Sequence, residues 1–308
     1  PVEITTAGQT VTINATNAPA KGGITITKTD AETGAFLSGV HFVLYDGSNR
    51  SVAEGDTDSE GKLTFSNLPL GTYSLVETSA PAGYVLDRAP RSVTISEHEQ
   101  IVQIAVTNGA AVGSISITKT DANTHAPLSG VHFILTDSAG ATVGGGGTDE
   151  NGILTFSNLP LGTYTITETE TRNGYVLDST PREVSITENG QLVEVSITNT
   201  PACGSVSITK TDSETGAALA GVHFVLRDEA GAVAAEGDTA ADGTLTLSNI
   251  PVGWYTLAET ATVSGYVLDE TRTEVHITEN GQIVELHLQN DPIHSTLEII
   301  EYFLIALL

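Results

Sequence analysis

Gly23-Ile24-Thr25-Ile26-Thr27-Lys28-Thr29-Asp30 alternates branched apolar residues with hydroxylated ones, the pattern of a half-buried β-strand. Side chains two apart share a face, so Ile24, Ile26 and Lys28 point one way and Thr25 and Thr27 the other. The isoleucines belong in a core, and they take Lys28 in with them. A lysine at a core register is costly unless it is paired or consumed by chemistry. The strand recurs as Ser114-Ile115-Ser116-Ile117-Thr118-Lys119-Thr120-Asp121 and as Ser205-Val206-Ser207-Ile208-Thr209-Lys210-Thr211-Asp212. From Lys28 to Lys119, and from Lys119 to Lys210, is 91 residues each time.

A period of this length is a domain rather than a solenoid repeat, and 308 residues hold three such units plus ends. The units are expected over 21–109, 110–200 and 201–291. Residues 1–20 read as the closing strands of a preceding unit, because Val11-Thr12-Ile13-Asn14-Ala15-Thr16-Asn17 matches Val102-Gln103-Ile104-Ala105-Val106-Thr107-Asn108 one period on. Residues 292–308 form a non-repeating apolar tail, whose apolar run of ten residues, 299–308, is too short to span a bilayer. With no methionine and a start at Pro1, the sequence reads as a processed or excised segment. Linkers such as Gly109-Ala110-Ala111-Val112 are short, which predicts an elongated rod. A unit this small buries only about 60–65% of its unfolded surface, so an additional staple would benefit it.

Thr, Val, Ile and Gly dominate, turn signals are frequent and no long helical period interrupts the units, so the class is all-β. Seven short strands per unit make a two-sheet sandwich or partly closed barrel. In unit one these include Val40-His41-Phe42-Val43-Leu44, Leu63-Thr64-Phe65, the stretch 72–78, Val93-Thr94-Ile95 and 101–108. Turns are expected at 56–61, as a hairpin, and at 67–71. The 38 acids against 12 bases give a net charge of −26, which argues against nucleic acid and anionic lipid as partners. Cys203, the one cysteine, excludes an intramolecular disulfide framework and is placed in a linker.

The parity that turns Lys28 inward applies to the other strands. Tyr73, Leu75 and Glu77 share a face, as do Val102, Ile104, Val106 and Asn108. Unit two repeats this with Lys119, Glu168 and Asn199, and unit three with Lys210, Glu259 and Asn290. Each core is thus offered an amine, a carboxyl and a carboxamide. No other inward polar set recurs.

These units resemble the collagen-adhesin B-type (CnaB-like, prealbumin-like) domains of Gram-positive surface adhesins and pilins. The likeness rests on the Lys-Thr-Asp strand, Gly39-Val40-His41-Phe42-Val43-Leu44, Gly71-Thr72-Tyr73-Ser74-Leu75-Val76-Glu77-Thr78, Ala80-Pro81-Ala82-Gly83-Tyr84 and the closing Val106-Thr107-Asn108. The resemblance implies tandem seven-stranded prealbumin/Ig-like sandwiches. It also implies spontaneous isopeptide bonds Lys28–Asn108, Lys119–Asn199 and Lys210–Asn290, assisted by Glu77, Glu168 and Glu259. Units two and three depart from it at Thr171-Arg172-Asn173-Gly174-Tyr175 and Thr262-Val263-Ser264-Gly265-Tyr266, which is expected to affect a surface loop only.

The implied chemistry is sound on first principles. Desolvation favours a neutral, nucleophilic amine, a protonated carboxyl can polarise the amide and pass protons, and enforced contact supplies effective concentration. The alternative is a buried Lys–Glu pair bonded to Asn without reaction. No cofactor or metal enters either reading. The calcium-loop likeness of Asp56-Thr57-Asp58-Ser59-Glu60-Gly61 is not kept in the other units, and His41, His132 and His223 face outward, one per unit.

The expectation is therefore a structural stalk on the Gram-positive cell surface or cell wall, locked against pulling and proteolysis by single-turnover self-crosslinking and not acting as an enzyme. Its partners would be neighbouring repeats or subunits of a surface fibre, with membrane or cell-wall anchoring through other regions. A second reading has loops such as 80–84 contact a host protein or glycan.

Overall fold

The computed structural model describes residues 2–294, and the tail beyond them lies outside the described residues. Three sandwiches follow one another in the chain, each of seven strands. In the first, β1 is Lys21–Asp30, β2 His41–Tyr45, β3 Ser51–Asp56, β4 Lys62–Pro69, β5 Gly71–Ser79, β6 Arg91–Ile95 and β7 Ile101–Asn108. One sheet has the order β4-β1-β7 and the other β3-β2-β5-β6. The second sandwich runs from β8, Val112–Asp121, to β14, Leu192–Asn199, and the third from β15, Cys203–Asp212, to β21, Ile283–Asn290. Their sheets have the same orders, β11-β8-β14 with β10-β9-β12-β13, and β18-β15-β21 with β17-β16-β19-β20.

The lysine strand is central in its sheet. It pairs antiparallel with β4 and parallel with β7, which brings the first and last strands of the sandwich side by side. Parallel neighbours need a long crossover between them, and here the rest of the domain serves as that crossover. The core lies between the sheets, where Ile24 and Ile26 of β1 meet Phe42 and Leu44 of β2, Tyr73 and Leu75 of β5, and Val93 and Ile95 of β6. All these positions obey the alternation read from the sequence.

Several expectations need correction. The turn at 56–61 does not close a hairpin, because β3 and β4 lie in different sheets and the turn carries the chain across the sandwich. The bend at 67–71 is tighter than expected, since β4 continues to Pro69. It does so through a bulge opposite Gly22 and Ile24, with Asn67 at φ 58°, a left-handed position that asparagine tolerates. The longer β4 lets β1 begin at Lys21 rather than Gly23. For the same reason Cys203 is not in a linker: it opens β15 and pairs with Pro251. Residues 11–17 form no strand, and Val11 and Ile13 are exposed.

Candidate functional site

Strand order explains how three distant residues meet. Lys28 lies near the end of β1 and Asn108 at the end of β7, two positions beyond the Val106 that pairs with Lys28, so both side chains leave the same face of one sheet. Glu77 comes from β5 in the opposite sheet, paired with Phe42. The three converge between the sheets, with Lys28 fully buried and Glu77 and Asn108 each 2% exposed.

In the first sandwich the Lys28 ammonium nitrogen donates to Asn108 Oδ1 at 2.5 Å and lies 3.1 Å from Glu77 Oε2. Asn108 Nδ2 donates to Glu77 Oε1 at 2.5 Å, closing a triangle of contacts. The second sandwich repeats it: Lys119 Nζ is 2.6 Å from Asn199 Oδ1 and 2.8 Å from Glu168 Oε2, and Asn199 Nδ2 donates to Glu168 Oε1 at 2.5 Å. The third differs. Lys210 Nζ is 2.9 Å from Glu259 Oε2 but donates to the Gln289 backbone carbonyl, also at 2.9 Å. Asn290 Nδ2 still donates to Glu259 at 2.7 Å, and Asn290 Oδ1 is left without a donor. All nine sequence-predicted residues are thus gathered into three sites, with the amine on the amide oxygen in two of them.

Burial lowers the pKa of Lys28 and Lys119 below the ordinary lysine value, against the opposing pull of the Glu77 and Glu168 carboxylates. The direction is the one a nucleophilic amine requires. Phe133 and Phe224 lie beneath the amines of Lys119 and Lys210, each with its ring centroid 5.7 Å from Nζ. They close the apolar side of the site, a role not visible when phenylalanine is read simply as core.

Sequence reasoning missed two further features. Asp30, Asp121 and Asp212, which end the lysine strands, are buried, and each holds the start of the following loop. Asp30 Oδ1 accepts the N–H of Thr33 at 2.7 Å and of Glu32 at 2.8 Å. Asp121 and Asp212 also take the hydroxyls of Tyr175 and Tyr266 at 2.7 and 2.8 Å. In the first unit the Asp30 carboxylate beside Tyr84 raises the pKa of its phenol, so the Gly-Tyr element kept in all three units meets the strand end. The second feature is in the loop where units two and three depart from the family pattern. Its first residue is not confined to the surface, because Thr171 and Thr262 each accept a hydrogen bond from the site asparagine, Asn199 or Asn290, at 2.7 Å.

The aspartates give a pH prediction. Backbone N–H donors, those of Thr33, Thr124 and Thr215 first, hold the three carboxyls at about 2 against an ordinary 3.8. A depressed carboxyl contributes stability that is present above its unfolded pKa and lost as pH falls through the folded one. The melting temperature is expected to fall between about pH 4 and pH 2, and Asp30→Asn with Asp121→Asn and Asp212→Asn to flatten that fall, as read by circular dichroism.

His41 and His223 lie at the surface, as expected, each with Nδ1 2.7 Å from an aspartate, Asp56 and Asp238.

The family model named SpaA, described as a prealbumin-like fold domain, matches residues 22–110, 113–201 and 204–292. Serine-aspartate repeat-containing protein C of Staphylococcus aureus (strain Newman) is 26% identical over 155 residues, which is 42% of this chain and 16% of that protein. Serine-aspartate repeat-containing protein F of Staphylococcus epidermidis is 29% identical over 168 residues, 45% of this chain and 10% of that one. Among solved structures, the Bacillus anthracis TIE protein superposes with a TM-score of 0.80 at 32% identity, covering 88% of this chain and 51% of its own. The chain therefore spans about half of that structure and a small fraction of those curated relatives.

Proposed function

The chain belongs to the SpaA family of prealbumin-like fold domains, carried here as three tandem repeats of the kind found in Gram-positive surface proteins, and on that premise we propose that it is a stalk segment locked by three internal isopeptide bonds. The observation that carries this reading is the threefold burial of Lys and Asn around one Glu, with the amine nitrogen on the amide oxygen in two of the three sites. A buried ion pair alone is a poor source of stability, since desolvation consumes most of its attraction. Three buried lysines are better accounted for by a reaction that removes the charge.

The chemistry needs nothing from outside. A proton moves from Nζ to the glutamate carboxylate, leaving a neutral amine. The amine attacks Cγ of the asparagine, the glutamate delivers that proton to Nδ2 as the tetrahedral species collapses, and the freed carboxylate takes the second proton from Nζ, which ends as an amide N–H. The Nζ–Cγ bond forms, the Cγ–Nδ2 bond breaks, and one ammonia leaves. Each site turns over once, so the protein modifies itself and is not an enzyme acting on substrates.

Joining Lys28 to Asn108 closes a loop across a separation of 80 residues. If the chain-entropy estimate for a disulfide transfers, closure stabilises each domain by about 4–5 kcal/mol. Tension entering through β1 then passes over the new bond and leaves by the end of β7, and the chain between carries none of it. This suits an extracellular segment of a cell-surface fibre, with neighbouring repeats or subunits as its partners. The reading in which loop 80–84 grips a host ligand is less well supported, because Tyr84, the aromatic of that loop, is partly buried and packs against the core.

Intact-mass measurement on the purified chain tests the proposal. A deficit of three ammonia molecules against the sequence mass is expected, and the full sequence mass would overturn it.

A further inference from the structure

The three sites are not equally built. At the position one period apart, repeat one has Ala80 where repeats two and three have Thr171 and Thr262. The site asparagine of repeats two and three therefore donates both amide hydrogens from Nδ2, one to the glutamate and one to the threonine hydroxyl. In repeat one Asn108 Nδ2 donates to Glu77, and Ala80 has no hydroxyl to take the second hydrogen.

We propose that Thr171 and Thr262 act on the departing nitrogen, so that the bonds of repeats two and three form faster than that of repeat one. This rests on the covalent reading above and adds a residue to it. In the planar amide, Nδ2 is a modest donor whose lone pair is delocalised into the carbonyl. Once Nζ has added to Cγ, that delocalisation is lost and the nitrogen takes up the proton carried by the glutamate. It becomes ammonium-like before it leaves. A hydrogen bond from a charged donor is about twice as strong as one from a neutral donor, so the hydroxyl oxygen holds the transition state more tightly than the starting amide. The hydroxyl also fixes which edge of the carboxamide is nitrogen: in repeat two, with both hydrogens engaged, Oδ1 is left to the Lys119 amine, 2.6 Å away. The Nζ–Cγ bond still forms and ammonia still leaves, and threonine is unchanged at the end.

Three copies in one chain supply their own clocks. The full chain is made by cell-free synthesis and sampled into acidic denaturant over time. After digestion, the branched peptide joining the lysine strand to the last strand is quantified for each repeat. Repeats two and three are expected to run ahead of repeat one by about tenfold, the value of one improved hydrogen bond in a transition state. Thr171→Ala is expected to slow repeat two to the pace of repeat one while leaving repeat three unchanged. Thr171→Ser should restore it, because it returns the hydroxyl without the methyl, an outcome that a purely packing role would not produce. Ala80→Thr should accelerate repeat one, which keeps the proposal testable even if Thr171→Ala disturbs folding. Unchanged relative rates in Thr171→Ala, or no acceleration in Ala80→Thr, would overturn the role of the hydroxyl and leave the covalent reading standing. Absence of branched peptide from every repeat of the unmodified chain would remove the covalent reading, and this inference with it.

Discussion

Glu168→Ala is expected to leave repeat two without its cross-link while repeats one and three complete theirs. The intact mass of the variant, corrected for the substitution, should show two ammonia molecules lost instead of three. Glu168 is the group that both faces the Lys119 amine, at 2.8 Å, and holds the Asn199 nitrogen, at 2.5 Å. Without it the amine has no local acceptor for its proton, and the amide no donor to its leaving nitrogen. The stability effect should be large because two losses combine. Repeat two forfeits the loop closure, about 4–5 kcal/mol by the disulfide analogy. It also keeps an unreacted lysine in its core with no carboxylate beside it, and breaking a buried pair by removing one partner costs about 3–5 kcal/mol. The two do not simply add, since the amine can shed its proton, but a loss of at least about 4 kcal/mol is expected. At roughly 4–8 °C per kcal/mol for a domain of this size, the melting transition of repeat two should separate from the others by about 20 °C in calorimetry. A variant that still loses three ammonia molecules and melts unchanged would contradict the assignment of Glu168.

The second large effect is expected from Gly61→Ala, a residue outside the Lys–Glu–Asn set. Gly61 sits at φ 67° over the lysine strand, and its carbonyl accepts the backbone N–H of Lys28 at 2.8 Å. An added Cβ would overlap the Lys28 carbonyl oxygen, which itself accepts the N–H of Leu37. The left-handed backbone alone costs an alanine about 1–2 kcal/mol, and relieving the overlap requires β1 to move, so a total of about 3 kcal/mol or more is expected. Because the displaced strand segment carries Lys28, the yield of the repeat-one cross-link should fall with stability. The equivalent Gly152 and Gly243 meet the carbonyls of Lys119 and Lys210 in the same way. Denaturant unfolding and peptide mapping of Gly61→Ala read the two consequences separately, and a fully stable, fully cross-linked variant would refute the argument.

The Lys–Glu–Asn set was legible in the sequence because side-chain alternation is a rigid geometric rule. Once Ile24 and Ile26 are assigned inward, Lys28 has no freedom to point elsewhere, and the same holds for Glu77 behind Tyr73 and Leu75. The repeat supplied the second half of the inference, since coincidental parity is implausible three times over. What alternation cannot say is which sheet a strand joins. The turn at 56–61 has the composition of a hairpin, yet β3 and β4 separate into opposite sheets, a decision made by packing of the whole domain. The bulge at Asn67 was likewise hidden, because one residue in a left-handed conformation lengthens β4 without altering its composition. Tyr84 and Thr171 escaped notice for a different reason: they lie on irregular segments, where no period relates sequence position to direction. A comparison of Ala80, Thr171 and Thr262 across the three units was available, but only coordinates reveal that this position abuts the buried asparagine amide.

The side-by-side placement of the first and last strands has a topological consequence once their side chains are joined. Residues 29–107 then belong to a closed ring, and the polypeptide on either side is attached to it at two adjacent points. A single cut anywhere within the ring opens it without severing the chain, for the two flanking segments remain connected through the Lys28–Asn108 link. A fibre made of such rings would survive a first nick in every loop of every domain, and would part only where the backbone runs outside them, in the short stretches from one ring to the next.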